Sequence, residues 1–509
     1  SGTLTVDGSL EIDGNPTSNT NHGGGPTLTV ATLTINTGGV LKADGLGFDA
    51  AKGTGAGTSE TTAGGGAHGG AGGASSAAVA GGSVYGSATA PVSLGSGGGN
   101  DTGGTAGGGG GGALILSVSG TLTVTGTLSA NGQAGAASQA GGGAGGTVSI
   151  TTGTLAGTGT IAATGGAGVG TSAGGGGGGG GRVDLSGVTT WSFTGTLSVA
   201  GGAKGGTDAA GSRGFAGTID WPANFSLTVP ATKTWRMGSD GTNSYNFGSG
   251  TLTVNGTLEI DGNPTVNAGS GGGATLTAAT VTINTGGVLQ ADGLGFDTAR
   301  GPGTGVSGTS GGGAAYGGVG GAASDGVAGG SVYGSATAPV TLGSGGGVDT
   351  SGITDPVGGG GGALILSVSG TLTVDGTLSA NGTQGTTASG GGSGGTIAVT
   401  AGTLAGAGTL SATGGAGTTR GGGGGGGRIL VSGNPVNLGF TFSGTMTVAG
   451  GGAGSTSPAA AGAAGTIFID PTISSAANQT FAPNDPATAN SGITVTNRAY
   501  LTTGTVISA

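Results

Sequence analysis

Few side chains in this 509-residue sequence are suited to acid–base or metal chemistry, and their spacing decides what they could do. Asp13 and Asp44 close the phrases LEIDG and LKADG, and Asp261 and Asp292 close LEIDG and LQADG further along; Asn131 and Asn381 fill the same slot in TLSANG. If such phrases stack as neighbouring strands, the carboxylates lie about 5 Å apart and repel by something of order 1 kcal/mol in water. A Ca²⁺ ion would relieve this with hard oxygen ligands, and carboxylates splayed into solvent would relieve it without one. The solvated arrangement is the simpler, so calcium is the one cofactor kept open, on Asp13, Asp44, Asp261 and Asp292.

The two histidines, His22 and His68, align with Ser270 and Tyr316 in a second copy of the sequence, and Lys42 aligns with Gln290. Polar residues that change between near-identical copies read as tolerated surface. No clustered carboxylates or acid–base pair mark a cleft, so no catalytic residue is assigned and the chain is read as no enzyme. Without cysteine there is neither a disulfide framework nor a thiolate metal site. Arg182 and Arg428 directly follow the glycine runs Gly174–Gly181 and Gly421–Gly427. Each guanidinium either bonds carbonyls at the end of a glycine helix or sits at a solvated corner.

The elements that must position these residues follow from the repeat. SGTLTVDGSLEIDGNPT at Ser1 returns as SGTLTVNGTLEIDGNPT at Ser249, and ADGLGFD and GGSVYGSATAPV return at the same offset. The homology lasts to about residue 470, which gives a first unit over 1–248, a second over 249–470 and a divergent, strand-rich tail over 471–509. Within each unit a phrase of the form apolar-x-apolar-x-Gly recurs, ending at Gly14, Gly45, Gly132, Gly165 and Gly201, and again at Gly262, Gly293, Gly382, Gly414 and Gly450. In ALILSVSGTLTVTGTLSANG, Leu114, Leu116, Val118, Leu122, Val124, Leu128 and Ala130 take one face of a period-two pattern. One inward face over short strands, repeated coil after coil, predicts an all-β parallel β-solenoid with about six coils per unit.

Glycine supplies 140 residues, yet apolar residues make up 33% and charged ones only 6%, a balance that favours packing over disorder. The glycine-rich stretches 15–25, 46–112, 133–145, 166–181 and 202–216 all leave just after a phrase. They should therefore exit at one corner and lie together. An extended glycine run spans about 3.1 Å per residue as a polyproline II helix and, unlike proline, keeps its N–H for a neighbour. The expectation is a second layer of packed polyglycine helices along one side of the solenoid, with Gly174, Gly177, Gly181, Gly421 and Gly427 at its centre.

TLTVDGTLSANG, GGGGGGALILSVSG and GGGGGGGGRVDLSG resemble the glycine-rich, repeat-built β-solenoid proteins of bacterial surfaces, of adhesin or filament type. That resemblance implies an extracellular or cell-surface location and a mechanical or adhesive role. The net charge of −10, with 11 basic residues, excludes a nucleic-acid partner, and no apolar run is long enough for membrane insertion. The sequence opens inside a strand pattern and reads as a segment of a secreted protein. The expected partner is a further copy of the chain, stacked head-to-tail into a filament. The contacts would come from Gly2, Thr3, Leu4, Thr5 and Val6 at one end and from Ile493, Val495, Tyr500, Leu501 and Val506 at the other. The alternative is a ligand-binding module, for a surface glycan through the long insertions or for ice through Thr-x-Thr faces. The Thr-x-Thr motif, read from TLTV alone, falls on only some coils.

Overall fold

A computed structural model describes residues 2–17, 22–206, 211–239, 244–350, 358–433, 439–469 and 480–481. Its architecture is the expected parallel β-solenoid, in two compact units. The first comprises Ser1–Ala223 with Lys233–Tyr245, the second Asn224–Thr232 with Asn246–Ala509.

In the first unit one sheet runs through Thr3–Val6, Thr32–Ile35, Ala113–Val124, Thr147–Gly157, Arg182–Phe193 and Thr218–Asp220, with Thr27–Val30 beside the first half of Ala113–Val124. A second sheet stacks Ser9–Glu11, Val40–Lys42, Thr127–Ser129, Thr160–Ala162, Thr196–Ser198 and Thr234–Gly238. Neighbouring strands are parallel and come from successive coils, so like residues stack. Leu10, Leu41, Leu128, Ile161 and Leu197 form one inward column, and Leu4, Leu33, Leu122 and Leu155 another. From Leu33 and Leu41 onward these side chains are fully buried, and the seven inward residues expected between Leu114 and Ala130 are buried as well.

Two details were not foreseen. ALILSVS and TLTV form one twelve-residue strand, with a register shift between Val118 and Thr121 where Gly120 bends it. The segment after Ala223 is divided: Leu227–Val229 pairs with Thr251–Val254 in the second unit, while Arg236 pairs with Ser198 in the first. The slot ahead of TLTV at Thr251 therefore belongs to a strand that the repeat boundary at Ser249 assigns to the first copy.

The second unit repeats the plan. Leu227–Val229, Thr251–Val254, Thr280–Ile283, Ala363–Val374, Thr396–Ala405, Arg428–Gly433 and Thr466–Ile469 form its longer sheet. Beside it stack Thr257–Asp261, Val288–Gln290, Thr377–Ser379, Thr409–Ser411, Thr445–Thr447 and Thr480–Phe481.

Candidate functional site

The run Gly174–Gly181 is the centre of a hydrogen-bonded lattice with a period of three. Gly175, Gly178 and Gly181 donate N–H to the carbonyls of Val169, Gly166 and Ala163; Gly176 and Gly179 donate to Ala63 and Gly66; Gly177 and Gly180 donate to Ser212 and Phe215. Its carbonyls repeat the rule, Gly176 and Gly179 accepting from Gly142 and Gly145, Gly177 and Gly180 from Gly73 and Gly70, and Gly175 and Gly178 from Gly205 and Gly202. These bonds measure 2.7 to 3.2 Å. Consecutive residues thus point 120° apart, as a threefold helix requires, and one helix is ringed by six neighbours drawn from all the longer insertions. Gly174 is tied at its start to Ser76 Oγ, 3.0 Å away.

Gly421–Gly427 repeats the arrangement in the second unit. Gly422 and Gly425 donate to Gly311 and Ala314, Gly423 and Gly426 to Ala460 and Ala463, and Gly424 and Gly427 to Gly415 and Ala412. In the described part of the short insertion 15–25, Asn15 and Gly24 exchange backbone bonds of 2.7 and 3.0 Å, and the His22 carbonyl accepts from the Leu94 N–H at 3.1 Å. The run length is explained by sterics. A Cβ on Gly177 would stand 2.0 Å from the Gly202 oxygen, and one on Gly178 2.0 Å from the Gly143 oxygen, so every direction away from this helix is occupied by backbone.

The arginines that follow these runs bond carbonyls of a neighbouring helix of the layer. Arg182 is buried, and its guanidinium donates to Tyr85 O at 2.9 Å, Gly86 O at 3.2 Å and Thr218 Oγ1 at 2.9 Å. Arg428 does the same with Tyr333 O at 2.7 Å and Thr466 Oγ1 at 3.0 Å. Of the two sequence readings, carbonyl binding is the one realised. Replacing Arg182 by Met leaves those carbonyls and Thr218 without a donor, an expected loss of about 2–4 kcal/mol. Chemical denaturation checks the loss, and amide exchange at Tyr85 and Gly86 should quicken with it.

His68 is not tolerated surface. It is fully buried beneath Tyr85, ring centroids 5.0 Å apart, with Nδ1 3.1 Å from Gly145 O and 3.2 Å from Gly146 O. Two carbonyl neighbours make Nδ1 the protonated nitrogen, while Nε2 has no hydrogen-bond partner. Burial, with the Arg182 cation and more weakly His22 adding to it, lowers the His68 pKa to about 3. In the second unit Tyr316 fills the same space, its hydroxyl 2.7 Å from Thr396 Oγ1 and its ring under the Arg428 guanidinium at 5.1 Å. The substitution exchanges two solutions of one buried site, which comparison of the copies misread as surface variation. Lys42 and Gln290 are likewise matched, each bonded 3.0 Å from the glutamate of the preceding coil, Glu11 or Glu259.

The acidic slot is a hydrogen-bond ladder. Asp44 accepts from the Asn131 N–H at 2.6 Å and from Ser129 Oγ at 3.0 Å, and Asn131 Oδ1 then accepts from Thr164 N and Oγ1. Asp292, Asn381 and Thr413 repeat it. Burial nonetheless raises the Asp292 pKa. Asp13 is exposed and caps its own Gly14 N–H at 2.8 Å, whereas Asp261 is buried. Among the described residues no three His, Cys, Asp or Glu side chains gather where a metal ion could be held. The carboxylate repulsion that motivated calcium is met at Asp44 and Asp292 by N–H and hydroxyl donors.

Two features were missed from sequence. Asp184 and Asp220 are partners in register on adjacent strands, and burial, then the Asp184 charge, raises the Asp220 pKa to about 6. The second unit places Leu430 and Phe468 there. The other feature is a threonine column. Thr3 pairs with Thr32, Thr121 with Thr154 and Thr154 with Thr190, so the outward slot stays threonine even where TLTV has become TLAG or TWSF. The array is continuous over more coils than the motif alone indicated.

Of the expected assembly residues, Gly2, Thr3 and Thr5 are exposed, Leu4 half-buried and Val6 buried, and among the described residues Thr3–Val6 pairs with Thr32–Ile35 alone. Ile493, Val495, Tyr500, Leu501 and Val506 lie outside the described residues. No helix among the described residues is long and apolar enough to cross a membrane. Compared with known protein families, curated proteins and solved structures, the chain matches none.

Proposed function

We propose that this chain is a non-enzymatic structural protein of the cell exterior, a subunit of a surface fibre whose copies add head-to-tail. The supporting observation is the glycine lattice. Its central helices bond in all three directions, an arrangement that spends sequence on stiffness and offers no side chain for chemistry. A solenoid extends by adding coils, and the sequence carries two copies of one such unit in tandem. Negative-stain electron microscopy across a concentration series tests the reading: unbranched filaments with an axial period of one or two units are expected. Separate rods at every concentration would overturn it.

The continuous threonine column supports a second reading, a binding face for a periodic surface such as ice or a crystalline glycan. Inhibition of ice recrystallisation, or retention on such a glycan, that is lost on replacing Thr121 and Thr154 by Lys would favour that role.

A further inference from the structure

The outermost helix of each glycine layer has lattice positions to spare. In the first unit, Val79, Gly82 and Tyr85 turn their N–H groups inward, to Ser75 Oγ at 3.2 Å, Gly65 O at 2.8 Å and His68 O at 3.1 Å. The same threefold geometry points the N–H groups of Ala80 and Ser83, and of Gly81 and Val84, in the two other directions. Among the described residues none of these four meets a protein acceptor, and the carbonyls of Gly81, Ser83 and Val84 receive no donor. Ala80 and Ser83 are exposed.

The second unit repeats the glycine and tyrosine bonds, while Val327, the counterpart of Val79, turns its N–H to Asp325 Oδ1 at 3.4 Å. Gly330 and Tyr333 donate inward to Gly313 and Tyr316, and Ala328, Gly329, Ser331 and Val332 do not. Arg182 and Arg428 hold the two helices from beneath through the Tyr85 and Tyr333 carbonyls.

The sequence of this edge is the second observation. Val79–Val92 and Val327–Val340 are identical at every position, although much of each is exposed. The stretch just before has diverged at Thr54/Pro302, Glu60/Gly308, His68/Tyr316 and Ala77/Asp325. An exposed segment held constant between copies, while the equally exposed Thr54, Glu60 and Ala77 beside it drift, is constrained by something outside the fold. It carries no charge, so a close approach desolvates no ion, and it exposes valines, with Val332 at 50% and Val340 at 41%.

We propose that this edge docks a second copy of the chain, outer helix against outer helix, joining two glycine layers laterally. The occupant follows from chemistry. A partner must present carbonyls and N–H groups at a threefold helical spacing with only small side chains between them, and this edge itself does so. Free donors and free acceptors on one strip make it self-complementary, the condition for a two-fold contact. It is the polyglycine counterpart of an unprotected edge strand.

Proline tests the idea at the backbone, because it keeps polyproline II geometry and deletes the N–H. Sedimentation equilibrium should show the wild type self-associating. A variant with Ala80, Ser83, Ala328 and Ser331 all changed to Pro should associate about a hundredfold more weakly or worse, since several hydrogen bonds go at once. Ala80→Ser with Ala328→Ser, which keeps every N–H, should associate like the wild type. If the proline variant fails to fold, Ser83→Lys with Ser331→Lys, at exposed positions, serves instead and should give the same loss.

Undiminished association in a folded proline or lysine variant would overturn the proposal, as would a wild type monomeric at all concentrations. The inference is separate from head-to-tail growth. Single filaments that no longer bundle in the variant support both, and lateral dimers without filaments support this one alone.

Discussion

Gly177→Ala is expected to unfold the glycine layer of the first unit, lowering stability by on the order of 3 kcal/mol, and Gly177→Val by more. The added Cβ would stand 2.0 Å from Gly202 O and 2.7 Å from Ala203 O, both backbone atoms that cannot rotate away. To admit it the two helices must separate. That breaks the bonds of Gly177 to Ser212 and Gly73, and the neighbouring bonds of Gly178 to Gly166 and Gly202. The second unit supplies a matched control. A Cβ on Gly451 would meet Gly415 O at 1.9 Å, whereas one on the adjacent Gly452 meets nothing within 4 Å. Gly451→Ala should therefore destabilise like Gly177→Ala. Gly452→Ala should be neutral or gain about 0.4–1 kcal/mol from the stiffer unfolded chain. Thermal melts with limited proteolysis read the difference, and equal melting temperatures for Gly451→Ala and Gly452→Ala would contradict the lattice.

The solenoid was legible because its signal is periodic. Inward leucines alternate with threonines, and a phrase closed by glycine marks every turn, so the column Leu41–Leu128–Ile161–Leu197 follows from spacing alone. The glycine layer was legible for a different reason. Runs as long as Gly174–Gly181 are intolerable in entropy unless something bonds all their backbone groups. What spacing could not provide was contact between residues far apart in the chain. His68 meets Gly145 and Arg182 through the lattice, and Asp184 meets Asp220 through one coil of register. Comparing the two copies misled at His68 because it treats any change of polarity as exposure. A buried site that can be filled by a neutral imidazole or by a phenol changes polarity too. The threonine column was hidden for the opposite reason, since TLTV, TLAG and TWSF share only their first residue, the one that faces out.

His68 makes acid stability a property of the first unit that one substitution should remove. The imidazole is neutral in the fold, its pKa lowered to about 3 by burial and then by the Arg182 cation, against 6.5 when exposed. Between those values the unfolded chain holds one more proton than the folded one. Stability is therefore intact above pH 6.5 and falls as pH drops, by about 1.4 kcal/mol per unit, or about 3 kcal/mol by pH 4. Asp220 acts in the opposite sense: its raised pKa of about 6 makes the folded state the better proton binder, so acid down to the ordinary carboxylate range favours the fold there. Because Asp220 is only half-buried its share is smaller, and it cancels when two proteins sharing it are compared. His68→Tyr is that comparison, since it installs the second unit's own solution, with Thr147 placed as Thr396 is to take the hydroxyl. Arg182 would then face a ring that cannot gain a proton. Denaturation midpoints from pH 7 to pH 4 should slope less steeply in His68→Tyr than in the wild type, by close to one proton's worth. Identical slopes would mean that the buried imidazole protonates without opening the layer, and that the lattice around it yields far more readily than its bonding implies.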